Sequence, residues 1–486
     1  MTPAGRQSLG RGTLQVVVAE SLALPTGIAA AAYLGRTLGP DSYGILSVVL
    51  AVGAGLEWTI ASLFSRATIR VVSEADDWDQ VAASAFRMQA GFGLVTGAAL
   101  WVAAAWIAAA LGEPESVSSL RLLAFDVALV AAGSACRNIL TGRGRYRERA
   151  MASAIRWLSR LCLLIPLVHV GLGIYGVVLA GLLSSAIWLV TGSLFARIPW
   201  TARGIVDGHR RLWRFAIPLF VIALSLRVLD KIGLIGLKAL GGSAREAGWY
   251  AAAQNFTLAP SLFAMSFSPL LLGALTAATR SGDLSAGRPL VRHALRLLLG
   301  LIPFAAFGAG AAPEIVHLIY GRGFEPAAHL AIPLLAGAVG LAAVSVATTI
   351  LTAADQATRA SRQLWPVTIL AVIALRLAVP RFGAMGAAVV IGIASAIGAV
   401  LMLEAVRRCW HVAPPLGTLA RTTAIGAATL ALALSWPAYG AWLFVKTLVF
   451  VSGITAALAI SGEFDADDVR LARRLIWTDS GGAERV

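Results

Sequence analysis

The sequence predicts an all-α polytopic membrane protein of about 14 transmembrane helices: two six-helix lobes related by a pseudo-two-fold along the membrane normal, then two C-terminal helices. Three observations carry this expectation. Hydrophobic residues make up 58% of the 486-residue chain and charged residues only 13%, with a mean hydropathy of +0.78, far from the balance of a soluble domain. Apolar runs of about 20 residues, the length that crosses a bilayer, recur along the whole chain. Two segments near the start also reappear, in the same order, a fixed number of spans later.

In the first half the expected spans lie at 14–34, 42–63, 89–111, 119–140, 153–172 and 176–196. In the second they lie at 216–240, 248–275, 293–313, 328–352, 364–379 and 384–405, and a last pair lies at 422–438 and 442–461. The first span carries Glu20 and Pro25 and exceeds a usual signal-peptide core, so it is expected to stay in the mature protein. The chain then divides into an N-terminal lobe at 1–213, a C-terminal lobe at 214–410, an extra helix pair at 411–461 and an amphipathic cytoplasmic tail at 462–486. The repeat pairs LGRTLGPDSYGILSVVLAV at 34–52 with LKALGGSAREAGWYAAAQNF at 237–256, and GIYGVVLAGLLSSAI at 173–187 with GAMGAAVVIGIASAI at 383–397. An even number of spans separates the copies, so both halves keep one orientation and a cavity is expected between them near the midplane.

Lys and Arg total 40 against 25 Asp and Glu, a net charge of +15 that by itself would allow nucleic-acid binding. The distribution of the arginines excludes it. Of those 40, 28 fall in alternate connections, such as Arg66, Arg70 and Arg87, the run Arg143, Arg145, Arg147, Arg149 and Arg156, and Arg407, Arg408 and Arg421. Lys446 belongs to the sparse opposite set. This asymmetry predicts a multi-pass protein of the bacterial inner membrane with both termini cytoplasmic. Cys136, Cys162 and Cys409 have no paired spacing and the six histidines are scattered, so neither a disulfide, a metal site nor a cofactor is expected.

The arginine-rich connection GRGRYRER at 142–149 is a topology anchor first and an anionic-headgroup contact second. Residues 463–477 place acids ahead of arginines, the order a helix dipole favours, with Val469, Ala472 and Ile476 on one side, and residues 77–88 are similarly amphipathic; both are expected along the inner surface. GLGIYG at 171–176 fits a dinucleotide fingerprint but joins two apolar spans with no strand before it, so a tight outside turn is the expectation. Glu74, Asp76, Asp77 and Asp79 form a solvated loop rather than a catalytic group. Every expected outside segment is short, leaving no room for an extramembrane catalytic domain, and the chain is not expected to be an enzyme.

Chemistry concentrates inside the spans. Arg227, Asp230 and Lys231 sit in the middle of the seventh, at spacings that place them on one helix face. Each charge costs about 2.5–3.5 kcal/mol at a helix centre, so that face must look onto protein or water. Glu20 and Glu57 lie deep in the first two spans, where proton or Na⁺ coupling competes with a structural hydrogen bond to a neighbouring helix. Asp126, Arg137 and Arg160 are further candidates, the two arginines lying near cytoplasmic ends where snorkelling competes with contact to a lumen. Pro25, Pro166, Pro218, Pro260, Pro269 and Pro303 interrupt spans as tolerated kinks or hinges.

The chain resembles the bacterial polysaccharide transporter or oligosaccharide flippase family, within the superfamily that includes MATE-type drug exporters. RTLGPDSYG at 36–44, IPLFVIALSLRVLDKIGLIGLKALG at 217–241 with GWYAAAQ at 248–254, and PEIVHLIYGRGFEPAAHLAIPLLA at 313–336 carry the resemblance, which covers nearly all of the chain. It implies translocation of a polyprenyl-diphosphate-linked oligosaccharide to the outer leaflet by alternating access, for surface polysaccharide synthesis. It also implies a positively charged cavity for the diphosphate, contact with membrane lipids and association with polysaccharide polymerase machinery. Within that implication Arg227, Asp230, Lys231, Arg137 and Asp126 are the substrate-binding candidates, and Glu20 and Glu57 the coupling candidates. A MATE-like drug or small-molecule antiporter is the alternative, followed by a membrane enzyme or assembly factor.

Overall fold

A computed structural model describes residues 15–16, 18–74, 78–198, 209–279, 284–413 and 415–463. The expected tail helix at 463–477 lies outside these residues apart from Glu463, as do Asp76 and Asp77. The described chain is helical throughout, and among the described residues there is no strand. We number its helices α1 (Ala23–Glu74), α2 (Trp78–Ala110), α3 (Val117–Gly142), α4 (Tyr146–Leu167), α5 (Gly173–Ala196), α6 (His209–Ala239), α7 (Ala244–Gln254) and α8 (Leu258–Ala278). The remainder are α9 (Arg288–Leu299), α10 (Leu301–Gly310), α11 (Ala312–Ile319), α12 (Ala327–Ala353), α13 (Ala357–Trp410), α14 (Leu416–Ser435) and α15 (Trp442–Ile460).

Among the described residues ten helical stretches are long and apolar enough to cross a membrane. Three of them, Val18–Ser65, Tyr146–Ala196 and Thr358–Trp410, run for 48, 51 and 53 residues, more than twice what a bilayer needs. Each breaks where two expected spans meet. Gly39 interrupts α1 at φ 71°, ψ 173°; Gly171 and Gly173 separate α4 from α5; and Gly383 interrupts α13 at φ 55°, ψ −136°. GLGIYG is thus the tight turn its glycines imply. Past Pro166 the helix loosens into a π turn at Val168–Leu172, which runs into the first two residues of that motif. Residues 78–88 do not form a separate surface helix but the first turns of α2, which runs unbroken into the third span.

The chain divides into two compact units, Met1–Phe220 and Val221–Val486. In the first, α3 is the central helix, packed by α1, α2 and α5, while α4 lies chiefly along α5. In the second, α12 is central, packed by α7, α8, α10 and α13. These are the two most buried spans, with 72% and 67% of their most apolar stretch inside. Lipid is as apolar as leucine, so close approach rather than water exclusion holds such helices together. Gly93 of α2 accordingly lies so near Ala131 of α3 that a methyl group there would overlap it.

The last two helices belong to the second unit, where α14 packs on α10. Charges tie them at both ends. Lys446 of α15, fully buried, donates to Glu314 Oε1 of α11 at 2.5 Å and to the Ala433 carbonyl at 2.8 Å. At the other end Glu463 takes ion pairs from Arg421 at 2.6 Å and Arg296 at 3.4 Å and a hydrogen bond from Thr418. Lys446 is therefore not the span-end cation the charge count made it. It lies a turn inside α15, and its ammonium is neutralised within the protein.

Candidate functional site

The seventh-span triplet assembles as its spacing predicts. Arg227 Nη1 donates to Asp230 Oδ2 at 3.4 Å and Lys231 Nζ lies 3.2 Å from the same oxygen, so two cations share one carboxylate. The three side chains remain between 24% and 38% exposed, open enough for a further partner. The backbone beneath them is pinned by Gln254 of α7, whose Nε2 donates to the Asp230 carbonyl.

The first unit holds a second cluster, richer than the sequence suggested. On α4, Arg149, Ser153, Arg156 and Arg160 follow at intervals of four, three and four residues and so share one face. Glu20 accepts a hydrogen bond from Ser153 Oγ at 3.1 Å and lies 3.7 Å from Arg149 Nη2; Glu57 lies 3.8 Å from Arg156 Nη2. Both coupling candidates therefore face arginines of one helix. The guanidinium of Arg156 stands 4.2 Å over the ring of Trp188 on α5 and that of Arg137 stands 5.8 Å from it. Trp188 itself is buried against Gly133, where an added Cβ would come within 2.6 Å of the indole. Asp126, buried on the same α3 helix, leaves its Oδ1 without a hydrogen-bond partner.

Arg149 and Arg156 are the residues the sequence reading missed, because both were assigned to a cytoplasmic connection. The helix begins at Tyr146, ahead of the apolar run, and takes them inside. The signal was present in the spacing of 149, 153, 156 and 160. Their neighbours Arg143 and Arg145 cap α5: they donate to its last carbonyls, Ala196 O at 3.0 Å and Phe195 O at 2.5 Å, where cations suit the helix C-terminus. Arg143 also stacks on Trp78 at 3.4 Å.

Two of the stretches that marked the resemblance, 248–254 and 313–336, meet in the second unit. Trp249 Nε1 donates to the Gly323 carbonyl at 2.9 Å and Asn255 Nδ2 to Tyr320 Oη at 2.7 Å. Ser243 and Glu246 form a capping box on α7, and Glu246 Oε1 also accepts from the Ala384 N–H at 3.3 Å, just past the break in α13. GWYAAAQ and the 313–336 stretch are thus a structural lattice that also steadies Asp230 through Gln254.

A family model for "Polysaccharide biosynthesis protein" matches residues 33–329, more than half of the chain. The chain belongs to this polysaccharide biosynthesis family. Among curated relatives it is 25% identical over 243 residues to the succinoglycan biosynthesis transport protein ExoT of Rhizobium meliloti, covering 48% of this chain and 46% of that one, so the match spans about half of the relative's length. Among solved structures, the lipid II flippase MurJ in an inward closed conformation aligns with a TM-score of 0.71 and 14% identity, over 92% of this chain and 98% of that one. An inward-facing MATE multidrug transporter aligns with a TM-score of 0.64 and 16% identity, over 84% and 96%. At these identities the two structures show the fold, which is that of a multi-pass membrane protein of the MurJ and MATE type.

Proposed function

We propose that this member of the polysaccharide biosynthesis family is a flippase of the bacterial inner membrane. It carries a polyprenyl-diphosphate-linked oligosaccharide from the inner to the outer leaflet by alternating access. The observation that carries the proposal is charge held inside apolar helices with cations in surplus: Arg227 and Lys231 share the single carboxylate of Asp230, and the arginines of α4 outnumber the glutamates facing them. Such sites suit an anion with several oxygens, and guanidinium forks suit phosphate. The names of two matched proteins, a succinoglycan transport protein and a lipid II flippase, agree with this substrate class.

In this proposal Arg227 and Lys231 contact the diphosphate while Asp230 tethers them. Arg137 and Asp126 belong to the polar lining, and Glu20 and Glu57, paired to Arg149 and Arg156, are the candidates for a coupling proton or Na⁺. The chain crosses the membrane about fourteen times, the long helices turning back at their glycine breaks, with both termini in the cytoplasm. A MATE-like antiporter is the second reading, favoured by the shared fold and disfavoured by the cationic surplus, which would repel cationic drugs. An enzymatic role finds no support in the family or in the fold. Deleting the gene and locating lipid-linked sugars tests the proposal. Completed units should accumulate on the inner leaflet, and an unchanged leaflet distribution would contradict it.

A further inference from the structure

We propose that α4 carries a binding rail for phosphate oxygens, centred on Arg156, with Trp188 as its positioning residue; the diphosphate as occupant rests on the flippase proposal. Arg149, Arg156 and Arg160 line one face of a helix in an apolar segment, and the acids beside them hold them loosely. Arg149–Glu20 at 3.7 Å and Arg156–Glu57 at 3.8 Å are beyond hydrogen-bond reach, whereas Arg407–Glu404 and Arg421–Glu463 in the same chain close to 2.6 Å. Arg160 makes no ion pair among the described residues. The Nε atoms of Arg149 and Arg156 and the Nε1 of Trp157 are buried on this helix without an acceptor. Counting Arg137 with the three, four arginines meet Glu20, Glu57 and Asp126. Arg149 Nη1 does donate to Thr141 Oγ1 at 3.0 Å and Asp126 Oδ1 is itself unpartnered, but the cluster carries one more positive charge than negative and its ion pairs are long, a balance that a phosphate group would restore.

Arg156 has a second contact besides Glu57. The carbon of its guanidinium lies 4.2 Å from the centroid of the Trp188 ring, and the indole is itself packed against Gly133. Cation–π contact holds the guanidinium without accepting its N–H groups in conventional hydrogen bonds to oxygen, so they remain for an anion, in a planar fork that an ammonium at the same place would not offer. Glu20 and Glu57 then act as exchangeable counter-ions, displaced from the arginines when phosphate oxygens arrive.

The test titrates the full-length protein in neutral-lipid nanodiscs with inorganic pyrophosphate and with a short prenyl diphosphate, following heat release and tryptophan fluorescence. Both probes should bind the wild-type chain and shift its emission. Arg156→Ala should weaken binding roughly tenfold or more, and Arg156→Lys several-fold, through loss of the bidentate fork. Trp188→Leu should weaken it too, yet add little on top of Arg156→Ala, since the indole acts through the guanidinium; additive losses would overturn the positioning role. Should Arg156→Ala fail to accumulate, Arg160→Ala and Arg156→Gln serve in its place. Unaltered affinity in these variants would overturn the rail while leaving the flippase proposal standing. Binding that survives a failed leaflet assay would keep the rail and remove the flippase. If nanodiscs of phosphatidylglycerol abolish prenyl diphosphate binding, the rail serves bulk phospholipid and the diphosphate assignment falls.

Discussion

Gly173 and Gly383 adopt one backbone conformation, φ 51°, ψ −131° and φ 55°, ψ −136°, at matched positions of the two internal copies. In the other matched pair, Gly39 and Gly241 also share positive φ, 71° and 94°. A side chain is strained at such angles, so glycine is the residue these turns require. Alanine at Gly173 meets no atom within 4 Å and isolates the backbone term, about 1–3 kcal/mol. At Gly383 the new Cβ would also strike the Glu246 carboxylate that accepts from Ala384. Thermal unfolding in detergent should therefore rank Gly383→Ala below Gly173→Ala, and both below wild type. Equal, unchanged midpoints would show that the turns do not depend on this geometry.

The Lys446–Glu314 pair should respond asymmetrically to substitution. Lys446→Met leaves Glu314 charged and buried, and a broken pair of this kind costs about 3–5 kcal/mol. Replacing both by Met should recover most of the loss, since the attraction was offset by desolvation. The check is a double-mutant cycle on unfolding temperature; an additive double loss would mean that the two residues act separately.

For the seventh span, Asp230→Asn leaves Arg227 and Lys231 without their shared carboxylate and should lower the amount of folded protein. Arg227→Ala/Lys231→Ala, compared with wild type at matched membrane levels, should fail to export polymer. Quantifying membrane protein and surface polysaccharide in the same cells separates the two outcomes, and normal export by the double variant would remove the headgroup role from this triplet.

Topology is checked with paired reporters. A phosphatase fused after Arg211 should be inactive and one fused after Gly241 active; the reverse pattern would invert the orientation drawn from the arginines.

The fold class was legible because the price of charge in lipid leaves so little freedom: apolar length and arginine placement define the spans. The glycine turns were legible through their repetition, and the Arg227, Asp230 and Lys231 face through its spacing. Helix α4 was harder. It begins at Tyr146 in a polar stretch, so an apolar-run criterion that starts it at 153 leaves Arg149 in a loop and puts Arg156 at the edge of the span, where the charge count took it for a connection residue. Their partners Glu20 and Glu57 lie far away in sequence, as do Glu314 and Lys446, and spacing along a chain says nothing about contacts between distant helices. Of the stretches that carried the resemblance, 217–241, 248–254 and 313–336 gave no sign in sequence that 248–254 bonds to the other two.

The most direct test of the central claim is a flipping assay in proteoliposomes. A labelled polyprenyl-diphosphate-linked oligosaccharide is placed in the inner leaflet of vesicles containing the purified protein, with an ion gradient imposed, and an external glycosidase reports its arrival outside. The account predicts that the wild-type chain makes the sugar accessible far faster than protein-free vesicles do, and that Arg227→Ala/Lys231→Ala abolishes the gain. Accessibility no faster than in protein-free vesicles, from protein shown to be folded, would contradict it.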